Sequence, residues 1–214
     1  MSATLFDYWR SSASYRVRIA LNLKGISYSR IPVSLLDGAQ LSPDNLVRNP
    51  QGMVPTLAID GLELTQSLAI IAYLDRRDPA PPLLPADPAR HARALAMALV
   101  VACDIHPLDN LRVLRYLGSE LGVEQSARDA WYRHWISEGF AALEAMAGEA
   151  GAGPFLGGAA PDIADICLVP QMYNARRLAV DLAPYPMLVA ADAAAQALPA
   201  FADAHPDRVK PADA

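Results

Sequence analysis

The sequence predicts a mixed α/β domain followed by an all-helical one, and three observations predict it. Strand and helix signals alternate over the first eighty or so residues. From about Pro88 the chain turns Ala- and Leu-rich with no convincing strand, which reads as helix. Between the two, Asp78–Pro88 holds five prolines in eleven residues, a composition that cannot continue a helix and makes a stiff extended connector. An ordinary proline loop inside one domain is the alternative, but the change of composition falls at the same place. The expected layout is a domain over 1–79, a linker over 80–88 and a helical domain over 89–214.

The first domain is predicted element by element. Thr4–Tyr8 alternates and is rich in aromatic and β-branched residues, which suits a short strand. Ser14–Lys24 repeats apolar residues at helical spacing and stops at Gly25, and Ser27–Ser34 reads as a second strand. Ser42-Pro43 opens a short helix with proline at its first position, and Asn49-Pro50-Gln51-Gly52 is a turn cluster. Thr56–Ile59, Asp60-Gly61 and Leu62–Leu64 form a hairpin signal, because Asp-Gly favours a type I′ turn. A helix then begins near Ser67, which is placed to cap it. A βαβ unit followed by a ββα unit is the thioredoxin-like arrangement. In the second domain, Asp162 with Asp165 three residues on fits a capping box, and Trp131, Trp135, Phe140 and Leu143 are expected in the core or an interface. Pro206–Ala214 is expected to be a loosely packed tail.

Composition narrows the function classes. The 23 acidic and 18 basic side chains give a net charge of −5, which argues against a nucleic-acid surface. No stretch approaches the length of a membrane span, and the N-terminus lacks the charged and apolar regions of a secretory signal, so a cytoplasmic protein is expected. Cys103 and Cys167 have no metal-ligand spacing and are expected as buried thiols, with no metal site.

One stretch carries chemistry. Arg10-Ser11-Ser12-Ala13-Ser14-Tyr15-Arg16-Val17-Arg18 lies where a strand hands over to a helix. The first turn of a helix has open N–H groups and the positive end of the macrodipole, so it favours an anion. A hydroxyl there can donate to a thiolate and lower the pKa of that thiol. A simple N-cap is the alternative for Ser11 or Ser12. Three hydroxyls in four residues, flanked by arginines, exceed what capping requires and favour an anion site.

Together with Val54-Pro55-Thr56 before the hairpin, Gln66-Ser67 at the start of a helix and the proline linker, this stretch resembles the glutathione transferase superfamily. Ser-Ser-x-Ser-x-Arg-x-Arg-Ile-Ala-Leu is similar to the signature of its zeta class, of which maleylacetoacetate isomerase is the typical member. Cys103–Pro107, Asn110, Asn174–Arg177 and Val180–Leu182 continue the resemblance, here to bacterial maleylpyruvate isomerases. It departs at Ala13, where the class usually carries Cys, and at Tyr15, where many members have Trp. Because glutathione brings its own sulfur, Ala13 bears on rate or substrate preference rather than on the reaction.

The resemblance implies a glutathione transferase fold, glutathione as cofactor, and a glutathione-dependent cis–trans isomerase of a maleyl keto-acid in aromatic catabolism. It implies Ser11 and Arg10 as catalytic residues. Glutathione binding falls to Ser11, Ser12, Ala13, Ser14, Tyr15, Arg16, Gln40, Val54, Pro55, Gln66, Ser67, His106, Asn110, Leu111 and Arg112. Pro55 would be cis, letting the Val54 backbone pair with the cysteinyl part of the peptide; Gln66 and Ser67 would hold the γ-glutamyl carboxylate. Arg10, Arg112 and Arg177 would bind a small anionic substrate, Arg177 being preferred to Arg176. His106 is expected to share a helix face with Asn110 and to bind rather than act as a general base. A homodimer is expected. The rival readings are a detoxifying transferase or dehalogenase of the same class, and a non-catalytic interaction module.

Overall fold

A computed structural model describes residues 3–149 and 153–212, which fall into two units. The first contains Met1–Leu83 together with Ala197–Ala214, and the second Leu84–Gln196. The helical domain expected over 89–214 thus gives up its last residues to the α/β unit, for a reason visible in the packing below.

The first unit is built on a four-stranded sheet of order β2-β1-β3-β4, comprising β1 (Ala3–Asp7), β2 (Tyr28–Pro32), β3 (Thr56–Ile59) and β4 (Leu62–Thr65). β1 runs parallel to β2 and antiparallel to β3, with Leu5 opposite both Arg30 and Leu57. A parallel pair requires a crossover, and α1 (Ser12–Leu23) supplies it. The hairpin at Asp60-Gly61 closes with both residues at positive φ, 54° and 78°, as a type I′ turn demands. A 3-10 turn (Ala39–Leu41) and α2 (Pro43–Arg48, capped by Ser42) lead from β2 towards β3, and α3 (Ser67–Arg77) follows β4 and packs on α1. Leu5, Tyr15, Ile19, Leu57, Ile70 and Leu74 make the core beneath the sheet.

The second unit contains α4 (Pro88–Leu99), a π-helical turn (Val100–Ile105), α5 (Leu111–Ser119), α6 (Gln125–Glu149), α7 (Ile163–Arg177) and α8 (Pro186–Gln196). α7 is buried almost throughout and opens on the expected capping box: Asp162 Oδ1 accepts the Ala164 N–H at 2.8 Å, and Asp165 Oδ2 accepts the Asp162 N–H at 3.1 Å. Phe140 and Leu143 are buried with it, while Trp131 and Trp135 stack edge to face at the margin.

Two expectations about the tail and the cysteines are corrected. The segment after Ala197 forms α9 (Pro199–Ala202) and α10 (Pro206–Val209), with Phe201, Ala204 and Pro206 buried. It is held because α1 and β2 present arginines whose donors need acceptors: Arg18 Nε donates to the Ala204 carbonyl at 3.1 Å and Arg30 Nη1 to that of Val209 at 2.8 Å. The last two residues of the expected loose tail lie outside the described residues. Cys167 is buried but Cys103 is exposed, since Val101 and Ile105 take the inward positions of the π-helical turn and leave Cys103 on the other side.

Candidate functional site

Ser11 caps α1. Its Oγ accepts the Ser14 N–H at 3.3 Å and its carbonyl accepts the Tyr15 N–H at 2.8 Å. Capping and anion binding therefore coexist, because a hydroxyl that accepts one bond still has its own proton to give. The first turns of α1 and α3 contain no acidic residue, so nothing on either helix neutralises the positive end of its macrodipole. α7 is the counter-example in the same chain, with Asp165 in its first turn.

One buried side chain joins the two helix starts. Arg16, on the inner side of α1, donates from Nη1 to Ser67 Oγ at 3.3 Å. The expectation that Ser67 caps α3 is corrected by this geometry. The cap is Gln66, which makes no side-chain capping bond, while Ser67 sits inside the first turn with its oxygen turned to Arg16. Gln66 is held at φ 66°, a left-handed conformation uncommon for a residue with a side chain, and its Nε2 donates to Gln51 Oε1 at 2.6 Å. Gln51 is fixed in turn by Asn49, whose Oδ1 accepts the Gln51 N–H at 3.1 Å. The partnership with Gln51 was invisible in the sequence; the nearest signal was the turn cluster around it.

The Val54–Pro55 bond is cis, and Val54 itself is half-buried with no hydrogen bond among the described residues. Its backbone groups are thus available to an extended peptide. Gln40 is placed differently from an ordinary loop glutamine. Its side chain is buried, its Oε1 meets no partner among the described residues, and its carbonyl accepts Asn45 Nδ2 at 2.8 Å.

The cluster from Ser11 to Arg16 divides into two faces. Ser11 and Ala13 are partly exposed, whereas Ser12, Ser14, Tyr15 and Arg16 are buried. Tyr15 is corrected from ligand contact to core: it is 0% exposed and meets the His205 ring edge-on at 6.0 Å. Helical periodicity places it four residues before Ile19 on the same inward face. The arginines are likewise sorted. Arg18 is not part of an anion site; it is fully buried, with Nη1 2.7 Å from Asp7 Oδ2. Burial pulls its pKa down and Asp7 opposes that pull. Arg30 reaches the same carboxylate at 3.0 Å. This triad around a buried Asp7 was missed, although a lone aspartate ending an otherwise apolar strand was a signal that a cation must lie inside with it. Arg10 remains half-exposed, its guanidinium 5.5 Å from the centre of the Trp9 ring.

In the second unit, His106 and Asn110 do not share a helix. Pro107 follows the π-helical turn, the chain turns through 106–110, and Asn110 caps α5 by accepting the Arg112 N–H at 3.1 Å. Leu111 is half-buried at the first position of α5 and Arg112 is exposed. Asp109, unremarked in the sequence, is 4% exposed, and neither carboxylate oxygen has a partner among the described residues. Burial pushes its carboxyl up to about 8. Arg176 is ion-paired with Asp192 at 2.6 Å, while Arg177 is exposed and lies 5.6 Å from the Tyr132 ring centre. Among the described residues no cluster of His, Cys, Asp and Glu could hold a metal ion, and no helix is long and apolar enough to cross a membrane.

A thioredoxin-like α/β unit, a cis-proline loop with open backbone groups at Val54 and two helix starts stripped of acidic residues suit an extended anionic ligand. Residues 1–76 match the family model of the glutathione S-transferase N-terminal domain and residues 129–207 that of the C-terminal domain. The chain is 53% identical to the maleylacetoacetate isomerase of Rhizobium meliloti (strain 1021) over 207 residues, 97% of each chain. Its fold superposes with a TM-score of 0.94 on a holo structure of maleylpyruvate isomerase, described as a bacterial zeta-class glutathione S-transferase, at 44% identity over 97% of this chain and 98% of that one. A maleylacetoacetate isomerase from Anaeromyxobacter dehalogenans 2CP-1, solved with dicarboxyethyl glutathione and citrate in the active site, matches with a TM-score of 0.86 and 43% identity over 99% and 98% of the two chains. The chain belongs to the glutathione transferase family, in the zeta-class group of maleylacetoacetate and maleylpyruvate isomerases.

Proposed function

We propose that this chain is a glutathione-dependent cis–trans isomerase of a maleyl keto-acid, maleylpyruvate or maleylacetoacetate, acting in the breakdown of aromatic compounds. The observation that carries the reading is Ser11: a capping hydroxyl with its proton still to give, at a helix start that has no acidic residue. Glutathione, when bound, supplies a thiolate that adds to the conjugated double bond and leaves again after rotation. The residues present fit that peptide. Val54 offers unpaired backbone groups, the first turn of α3 offers N–H groups to a carboxylate, and the buried Gln40 Oε1 is an acceptor still without a donor.

In this chain Ser11 donates its hydroxyl proton to the sulfur and favours its ionised form, helped by the α1 dipole. Gln66 and the start of α3 bind the γ-glutamyl carboxylate, while Gln51 fixes the Gln66 amide. Arg10 meets a substrate carboxylate and the charge that develops on the conjugated carbonyl, tasks for a guanidinium that stays protonated and bonds in two-pronged fashion. Arg112 and Arg177 are assigned to the substrate, and His106, Asn110 and Leu111 to glutathione, on the family resemblance. Arg177 is the better candidate of its pair because Asp192 already holds Arg176. Dicarboxyethyl glutathione in the Anaeromyxobacter relative is the skeleton that thiol addition to an unsaturated dicarboxylate produces, which supports the same chemistry. We further assign the protein to the cytoplasm as a homodimer; the exposed Leu36, Leu41, Val47 and Leu62 of the first unit support self-association.

The test is loss of maleylpyruvate or maleylacetoacetate absorbance with and without glutathione. The reading requires turnover that depends on the peptide, and a fall of about 100-fold in kcat for Ser11→Ala. Equal rates in both conditions would overturn it.

A further inference from the structure

The turn Trp9-Arg10-Ser11 is held from an unexpected direction. Its far end is closed locally, the Ser11 N–H donating to the Tyr8 carbonyl at 3.0 Å. Its near end is held by Arg18, whose Nη2 donates to the Trp9 carbonyl at 2.9 Å. The same guanidinium donates Nη1 to Asp7 at 2.7 Å and Nε to the Ala204 carbonyl at 3.1 Å. A guanidinium is a rigid planar fork, so three acceptors on one fork are fixed relative to one another: the end of β1, the turn, and the C-terminal segment. Arg18 is 0% exposed, so water does not compete for these bonds.

A second attachment lies one helix further on. α10 carries the chain from His205 to Lys210, and the Lys210 ammonium sits 5.3 Å from the centre of the Trp9 ring, which also holds the Arg10 guanidinium at 5.5 Å. Val209, just before it, is bound through its carbonyl to Arg30, the second cation on Asp7. The C-terminal segment therefore meets the indole of Trp9 directly through Lys210, and reaches the Trp9 backbone through Arg18, which binds the Ala204 and Trp9 carbonyls together.

We infer that residues 204–210 are a strut of the Trp9–Ser11 turn, with Arg18 and Lys210 as positioning residues for Arg10 and Ser11. The inference rests on the isomerase reading above for its catalytic consequence, but not for its structural one. Loosening the strut displaces the groups that act at the reacting atoms and leaves Val54, Gln66 and Ser67 in place. It lowers kcat and spares the KM for glutathione.

Three variants of the full chain test this. Lys210→Ala, at an exposed position, is expected to lower kcat about 2–5-fold, with Lys210→Arg restoring it because the cation over the indole returns. Arg18→Lys keeps the charge facing Asp7 but lacks the fork, and is expected to lower kcat about 100-fold. The KM for glutathione is to stay within about twofold in all three, since uniform binding is untouched. Amide hydrogen exchange of residues 9–14, measured without ligand, is to be faster in Lys210→Ala than in the parent and restored in Lys210→Arg. Unchanged exchange in Lys210→Ala overturns the strut, and faster exchange with unchanged kcat overturns the positioning role. A parent protein with no glutathione-dependent turnover defeats the isomerase reading instead, and the exchange experiment still decides the strut.

Discussion

Single residues were legible where chemistry and local geometry coincide, and illegible where burial decides. Ser11 could be placed at the start of α1 because a run of hydroxyls before apolar periodicity has few other positions to occupy. Tyr15, three residues beyond the start of that helix, looked like a member of the same anion site until packing turned it inward, and Arg18, six residues beyond the start, is turned inward with it. Asp109 was illegible for the same reason. Nothing in Leu108-Asp109-Asn110 says that the first carboxylate of the pair of polar residues is buried and the second residue caps a helix. Its consequence is testable. The folded state raises the Asp109 carboxyl from its ordinary range to about 8, so over that interval the folded protein holds a proton the unfolded chain has released. Stability from the neutral form is complete below the unfolded pKa and is lost as pH rises through the folded one. Asp109→Asn, neutral throughout, should therefore gain about 1–3 kcal/mol over the parent at about pH 9 and much less at about pH 5. Parallel urea titrations at the two pH values check this, and an equal difference at both would show that Asp109 is already ionised in the folded protein.

Elements were more legible than residues, because periodicity, prolines and caps are written locally. The β1-α1-β2 crossover, the Asp60-Gly61 hairpin and the Asp162–Asp165 capping box all follow from patterns a few residues long. The break after Ile105 shows the boundary of that legibility. A helical repeat running on from α4 would have put His106 and Asn110 on one face, but Pro107 ends it and the chain restarts at Asn110. The capping box is also more than a cap. Asp165 accepts the N–H groups of Leu156 at 2.9 Å and of Asp162 at 3.1 Å, tying the loop before α7 to its first turn. Burial raises its carboxyl to about 7 despite these bonds. Asp165→Ala leaves two buried N–H groups unanswered and should cost about 2–4 kcal/mol, while Asp162→Ala, an ordinary cap loss, should cost about 1. Thermal unfolding of the two variants side by side gives the ranking, and a smaller loss for Asp165→Ala would mean that water replaces the carboxylate.

At the scale of the whole chain the sequence was least informative. The proline connector marks where composition changes, and it does lie where the chain passes between units, yet a boundary in sequence is not a partition in space. Residues after Ala197 return to the α/β unit, and no local pattern announces it, because the attachment is made by arginines on β2 and α1 to backbone carbonyls some 180 positions away (Arg18 to Ala204, Arg30 to Val209). Both arginines converge on Asp7, at the end of the central strand and with no exposed surface. Asp7 thus faces both of the arginines that reach the C-terminal segment. Replacing it with asparagine removes the counter-charge from a buried guanidinium while leaving its shape, and breaking one side of such a pair costs about 3–5 kcal/mol. Asp7→Asn should lose that much stability, and because Arg18 also holds the Ala204 carbonyl, the amides of 197–210 should lose exchange protection together with those of β1. Loss of protection in β1 alone would mean that the tail docks through Phe201 and Ala204 without the ion pair.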